Sequence, residues 1–384
     1  MKTRQTLLSL LLVLTLSASA FGQSNDLRIF GYFQNNYSYI TTSDIEFFGT
    51  KSPGWDTKSF MVQQMNLFAA KNFGTELSSF VNLEFTNSFS SENNVGGFKI
   101  EEAWLKYSPS NNFNLKSGLL IPRFNNFNEI KNRTVLLPYI YRPMVYETVF
   151  NSQFDIEDFV PLQAYVQIYG DLSLGDDFRF NYAAFMGNSS SENLINNDAG
   201  LAAGADSSKS KMFGGRIGFE YDNLAAGVST TYDKKKATNV LETNLGYVPR
   251  IRFGAYLNYS VAGFELEAEY IKVSHKLSAE TEAKIDTAGS LMYYPNFAMD
   301  KSWIHVNLLY NFTNSLYAYA GYDYMDTEDN WFSMGGLDQF VVGGGYKVND
   351  AIVVKAEYVN QKSSLYGILP VTRQDYLLGA SVYF

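Results

Sequence analysis

From Asp26 onward the chain repeats one pattern, a run of about ten residues in which apolar and mixed side chains alternate, followed by a break. A period of two puts successive side chains on opposite faces of an extended strand, so each run carries one apolar and one mixed face. Sixteen runs are readable, over residues 26–39, 58–71, 75–87, 98–107, 113–121, 162–172, 178–187, 211–221, 224–232, 249–259, 264–274, 301–312, 316–325, 338–348, 351–361 and 375–384. The breaks alternate as well. Short ones, such as Asn72–Gly74, Asp222–Asn223 and Asn349–Asp350, are rich in turn formers. Long ones, such as Ile40–Thr57, Asn188–Ser210 and His275–Asp300, fall between them. A β-sandwich gives no reason for that order. An up-and-down barrel with tight turns at one rim and long loops at the other does.

The mixed face carries the charge. In 264–274, Phe264, Leu266, Ala268, Tyr270 and Ile271 are apolar, whereas Glu265, Glu267 and Glu269 share one face. In 249–259, Ile251, Phe253, Ala255, Leu257 and Tyr259 oppose Arg250, Arg252, Tyr256 and Asn258. Charge on the lipid face of a barrel costs ~2–4 kcal/mol at the bilayer midplane, so the charged parity must face a wet interior. Inward bases on this reading include Arg28, Lys116, Arg179, Arg216, Arg250, Arg252 and Lys355; inward acids include Glu76, Glu84, Glu102, Glu220, Glu265, Glu267, Glu269 and Glu357. The two signs nearly balance, and no strong ion preference follows. Parity is weakest in 58–71 and in 98–107, where Lys99 and Glu101 fall in step with Ala103 and Leu105.

Composition narrows the class. Residues 1–22 read as an export signal: Lys2 and Arg4, then apolar Leu7–Leu16, then small residues around a cleavage point. No cysteine is present, which excludes disulfides, thiolate metal sites and cysteine nucleophiles. A net charge of −9 argues against a nucleic-acid partner. The 28 tyrosines and 30 phenylalanines suit a barrel with aromatic girdles, for which Tyr32, Tyr37, Tyr107, Tyr221, Tyr259, Tyr310 and Phe384 are candidates. Tyr165, Tyr169, Tyr256, Tyr317 and Tyr319 read as inward; packing of the lumen wall is their expected role and a sugar-stacking track the alternative.

The last run places Tyr376, Leu378, Ala380, Val382 and Phe384 on one parity and ends the chain on an aromatic residue. This ending resembles the C-terminal strand of bacterial outer-membrane barrels, which the insertion machinery reads. Leu27–Tyr39, Glu101–Tyr107 and Leu115–Phe124 are similar to strands of sixteen-stranded porins, the phosphate-selective and Bacteroidetes-type porins among them. The resemblance implies an all-β, transmembrane, antiparallel up-and-down barrel over residues 23–384, with short periplasmic turns and long extracellular loops. It further implies an outer-membrane location, a homotrimer, contact with lipid and lipopolysaccharide, and passive diffusion of small hydrophilic solutes. No cofactor is implied. A porin selective for phosphate, an organic acid or an oligosaccharide is the alternative, with an outer-membrane enzyme or adhesin behind it. His275 and His305 are the two histidines available for acid–base catalysis, and neither lies in a nucleophile motif.

The stretch 122–160 alternates like neither strand nor helix and is too apolar for a linker. Its bases, Arg123, Lys131, Arg133 and Arg142, precede its acids, Glu147, Asp155, Glu157 and Asp158, with Glu129 out of order. It follows the fifth run, where sixteen-stranded porins fold a loop into the barrel. The resemblance makes it a candidate constriction, with its acids facing wall arginines Arg28, Arg216, Arg250 and Arg252. Packing over the outer rim or against a neighbouring subunit is the other arrangement. The candidate pore-lining set is completed by Glu265, Glu267 and Glu269. Their regular spacing reads as a negative stripe on the wall rather than a metal site, because nothing supplies the rest of a coordination shell.

Overall fold

A computed structural model describes residues 27–47, 50–90, 95–131, 137–146, 159–175, 177–189, 210–238, 244–276, 300–327, 335–365 and 369–384. The expected signal segment, 1–22, lies outside them. The first half of the chain forms β1 (Leu27–Thr42), β2 (Ile45–Phe47), β3 (Thr50–Ser52), β4 (Asp56–Phe73), β5 (Leu77–Ser90), β6 (Val95–Ser110), β7 (Phe113–Leu120), β8 (Ala164–Ser173) and β9 (Phe178–Asn188). The second half forms β10 (Lys211–Tyr221), β11 (Leu224–Thr238), β12 (Asn244–Val261), β13 (Phe264–His275), β14 (Lys301–Asn311), β15 (Leu316–Thr327), β16 (Gly335–Asn349), β17 (Ile352–Leu365) and β18 (Leu369–Tyr383). β2 and β3 are a small hairpin beyond the barrel; the other sixteen close into one antiparallel barrel in which every strand pairs with its neighbours in sequence. β1 meets β18 from Tyr32↔Tyr383 to Thr42↔Arg373, and Gly31 and Phe384 exchange backbone hydrogen bonds of 2.9 and 3.0 Å.

All sixteen alternating runs are barrel strands. Several extend further toward the long-loop rim than the alternation shows, β11 to Thr238 and β12 from Asn244 among them. The sequence there no longer alternates between apolar and mixed residues, so it does not mark which face is which. Lys234–Lys236 belong to this extension of β11.

The two faces separate as the alternation requires. Phe213, Ile217, Phe253, Leu308 and Leu378 stand exposed on the outside, whereas Gln34, Asn66, Gln167, Arg252, Asn307 and Asp323 are buried inside. Ile271 and Val273 follow the Glu265–Glu269 parity inward, both fully buried. Tyr32 is inward, packed on Phe68 at 5.4 Å between ring centres, and so is not a girdle residue. Tyr165 points outward, because a register irregularity between β7 and β8 advances the parity of β8.

The two strands of weak parity each contain a β-bulge. Gln63 is the extra residue of β4 against β1, and Glu101 the extra residue of β6 against β5. A bulge inserts one residue and inverts the parity beyond it. Lys99 and Glu101 therefore pair with each other on the inner side while Ile100 is exposed outside.

Large inward rings lie over inward glycines of the adjacent strand. A side chain at Gly345 would sit 2.3 Å from the Tyr317 hydroxyl oxygen, and one at Gly343 would sit 2.4 Å from that of Tyr319. Both rings are thereby held against the wall of the lumen.

Candidate functional site

The connection from Leu120 to Ala164 enters the barrel. Pro122 and Pro161 close its stems, each unable to donate a ladder hydrogen bond. Asn128 ties the stems together, its side-chain amide donating to the carbonyls of Pro122 (2.8 Å) and Pro161 (3.1 Å). Asn125 turns the chain with a φ of 50°, a left-handed conformation that asparagine tolerates. Its N–H donates to Ser229 Oγ at 2.9 Å and its carbonyl accepts from Arg216 at 2.7 Å. The Asn125 side chain fills the space a Cβ would need at Gly254 of β12.

Inward carboxylates of the wall then capture loop backbone. Glu269 Oε1 accepts the N–H groups of Asn126 and Phe127, both at 2.8 Å, and Oε2 accepts the Tyr146 hydroxyl at 2.7 Å. Four strands along the wall, Glu357 accepts the N–H groups of Ile140 (2.7 Å) and Tyr141 (3.1 Å) and the Tyr319 hydroxyl (2.5 Å). Glu267 accepts the Tyr139 hydroxyl. Burial, and then the adjacent carboxylates, hold the phenols of Tyr139 and Tyr146 far above the ordinary tyrosine range, which keeps both protonated as donors. The Lys355 ammonium donates to the carbonyls of Leu137 (2.7 Å) and Tyr139 (3.1 Å) and to Gln34 (3.2 Å). Gln34 and the bulged Gln63 both donate to the Ile140 carbonyl, at 3.1 and 2.9 Å.

The loop's apolar side chains complete the attachment. Phe124, Phe127, Ile140, Met144 and Phe159 are at most 1% exposed and share a core with Ile271, Val273, Trp303, Val341, Val359 and Leu377. Burying a side chain of this size stabilises by about 1.5–3 kcal/mol. These apolar contacts run from β13 to β18, so the loop packs on that half of the wall, while its polar contacts also reach β1, β4 and β10–β12.

The opposite wall, β6 to β8, keeps partly exposed charge. Arg123 Nε lies 3.0 Å from Glu129, with Lys116 Nζ 3.9 Å from the same carboxylate. The Arg123 guanidinium sits 3.9 Å over the Tyr169 ring, and Lys116 sits 4.6 Å over Trp104. Trp104 donates to Glu102 at 2.9 Å. These rings occupy the wall as cation platforms.

The expected pore-lining residues divide by position. Arg123 faces the lumen beside Glu129. Arg142 is buried and donates to the Lys131 carbonyl at 3.0 Å. Arg216 holds the loop at Asn125. Arg250 and Arg252 are both buried and share Asp233, an acid to which the alternation assigned no role. Arg28 is exposed at the short-turn rim, opposite Ala70 in β4, and far along the strand from the loop. Glu265 accepts from Asn311 at 2.7 Å toward that same rim, whereas Glu267 and Glu269 lie beneath the loop. Arg133, Glu147, Asp155, Glu157 and Asp158 fall outside the described residues. Glu129, the acid out of order in the loop's charge sequence, is the one that meets Arg123 and Lys116.

His305 is also under the loop. Its Nδ1 is 3.1 Å from Asp323, which accepts from Trp303 at 3.0 Å. Its Nε2 meets no hydrogen-bond partner among the described residues.

No protein-family profile and no curated protein sequence matches the chain. Solved structures do. The outer-membrane channel DcaP of Acinetobacter baumannii superposes with a TM-score of 0.58 at 12% identity, over 94% of this chain and 99% of that one. The anion-selective porin of Comamonas acidovorans gives 0.58 at 11% identity, over 93% and 99%. The fold is that of the outer-membrane porins. A trimeric form of OmpT, an outer-membrane protein of Vibrio cholerae, matches the same porin fold with a TM-score of 0.54 at 14% identity, over 94% and 100%. At such identities the likeness is one of architecture, and the porin fold carries no substrate with it.

Proposed function

We propose that the chain is an outer-membrane porin, a passive diffusion channel for small hydrophilic solutes whose loop 122–160 narrows the passage. The observation that carries this reading is a closed barrel, apolar outside and charged inside, with a loop bonded across its interior. A wall of sixteen strands encloses an aqueous lumen unless something fills it. Here the loop takes the β13–β18 side, which leaves the passage along β6–β8, past Lys99, Lys116, Arg123 and Glu129. Those four set the local field on permeating ions. The outer location follows from the apolar exterior, because a barrel of this kind is stable only with lipid around it. Lipopolysaccharide is the lipid expected at the long-loop rim, and recognition of β18 by the insertion machinery delivers the chain there.

Assembly as a homotrimer is part of the proposal. A trimeric neighbour supports it, and so does an outer groove of about 520 Å³ over β1 and β16–β18, floored by Gly344 and Ala356 and rimmed by Tyr39, Tyr376 and Leu378. Purified protein in planar bilayers should give discrete ion-conducting steps. A folded barrel that never conducts refutes the channel.

A further inference from the structure

We propose that the space between the loop and the short-turn rim is a binding subsite for a neutral polyhydroxylated solute, a sugar ring or short oligosaccharide; the inference rests on the channel reading. The cavity measures about 440 Å³, within the range of small-molecule sites. Leu137 and Pro138 of the loop form its roof, and Asn349 and Asp350 stand at its mouth.

Its rings are positioned in advance. Tyr317 is held against the wall by the absence of a side chain at Gly345, and its hydroxyl donates to the Pro138 carbonyl at 3.0 Å. Tyr383 lines the same cavity from β18. Fixed aromatic faces suit the apolar C–H face of a pyranose, and they lose no side-chain freedom on binding.

The polar lining selects against simple ions. Glu265, Glu267 and Asp350 oppose Lys347 and Lys355, so neither an anion nor a cation meets a field of one sign. Two of these groups are already engaged: Lys355 with Gln34 and the carbonyls of Leu137 and Tyr139, and Glu267 with the Tyr139 hydroxyl. That leaves Glu265 with its partner Asn311, Lys347, Asp350 and the amide nitrogen of Asn349, whose oxygen accepts from the Ala351 N–H at 2.8 Å, a set that mixes acceptors and donors. Hydroxyl groups, which both donate and accept, satisfy such a mixture.

The test uses the full chain in planar bilayers, with glucose and maltotriose added to each side in turn. Maltotriose should interrupt the current in a concentration-dependent way, at lower concentration from the short-turn side. Tyr383→Leu and Tyr317→Ala should each raise the half-blocking concentration about tenfold, whereas Tyr317→Phe, which keeps the ring, should change it little. Glu265→Gln is the second line of evidence should the tyrosine variants fail to fold, and it should weaken the block from the same side. A conducting channel that maltotriose never interrupts overturns the subsite, as does stronger block by glycine or lysine than by sugar. Protein that conducts no ions yet binds maltotriose in detergent by calorimetry keeps the subsite and refutes the channel.

Discussion

Two glutamates decide where the loop lies. Glu269 and Glu357 stand four strands apart on the same half of the wall, and each accepts two successive backbone N–H groups of the loop. Buried N–H groups left without acceptors cost about 1–3 kcal/mol each. Replacing both residues with alanine strands four N–H groups and should therefore lower unfolding stability by roughly 4–12 kcal/mol in urea titrations, and should raise single-channel conductance as the loop loosens. Unchanged conductance would mean that the loop does not limit the passage. On the other wall, Arg123→Ala leaves Glu129 with only the more distant Lys116, so the reversal potential in a salt gradient should move toward cation preference. Alternation alone placed Glu269, Lys355 and Glu357 inside the barrel, but it could not name their partners. Those partners are backbone groups of a loop more than a hundred residues distant, and a backbone N–H has no residue letter. Asp233 shows the same limit. It lies beyond the alternating part of β11, yet two buried arginines depend on it.

Strands were legible because each one reports its own two faces. The exceptions are equally physical. β4 and β6 gave contradictory parity because each holds a bulge, and a count by twos fails across one extra residue. Deleting Ile100 would restore regular pairing with β5 but turn Glu101 to the outside, opposite Leu83. A glutamate on the lipid face costs less than the ~2–4 kcal/mol of a lysine at the midplane, and less still toward the rim. Heat-modifiable gel mobility measures the outcome: the deletion should reduce the folded fraction, whereas Glu101→Ala, which keeps the bulge, should retain most of it. The hairpin of β2 and β3 was not readable at all. Three-residue strands are too short for a period to show.

At the scale of the molecule, the barrel's outer wall is not uniform. The groove over β1 and β16–β18 exists because Gly344 and Ala356 stand where other strands present large side chains. If this wall is the contact between subunits, Ala356→Trp should fill it and shift the detergent-solubilised mass from three copies toward one. Retention of the trimer would place the contact elsewhere. The wall also contains a seam. β1 has only β4 and β18 as partners, and β18 is the last strand made. Its ladder to β1 joins residues separated by nearly the whole chain, so the entropy of loop closure is spent before any of that pairing is gained. Until β18 arrives, two unpaired strand edges stay open and can join those of another copy. The time between leaving the export machinery and sealing Gly31 to Phe384 is thus the interval of greatest aggregation risk, and chaperoning is needed most at that point.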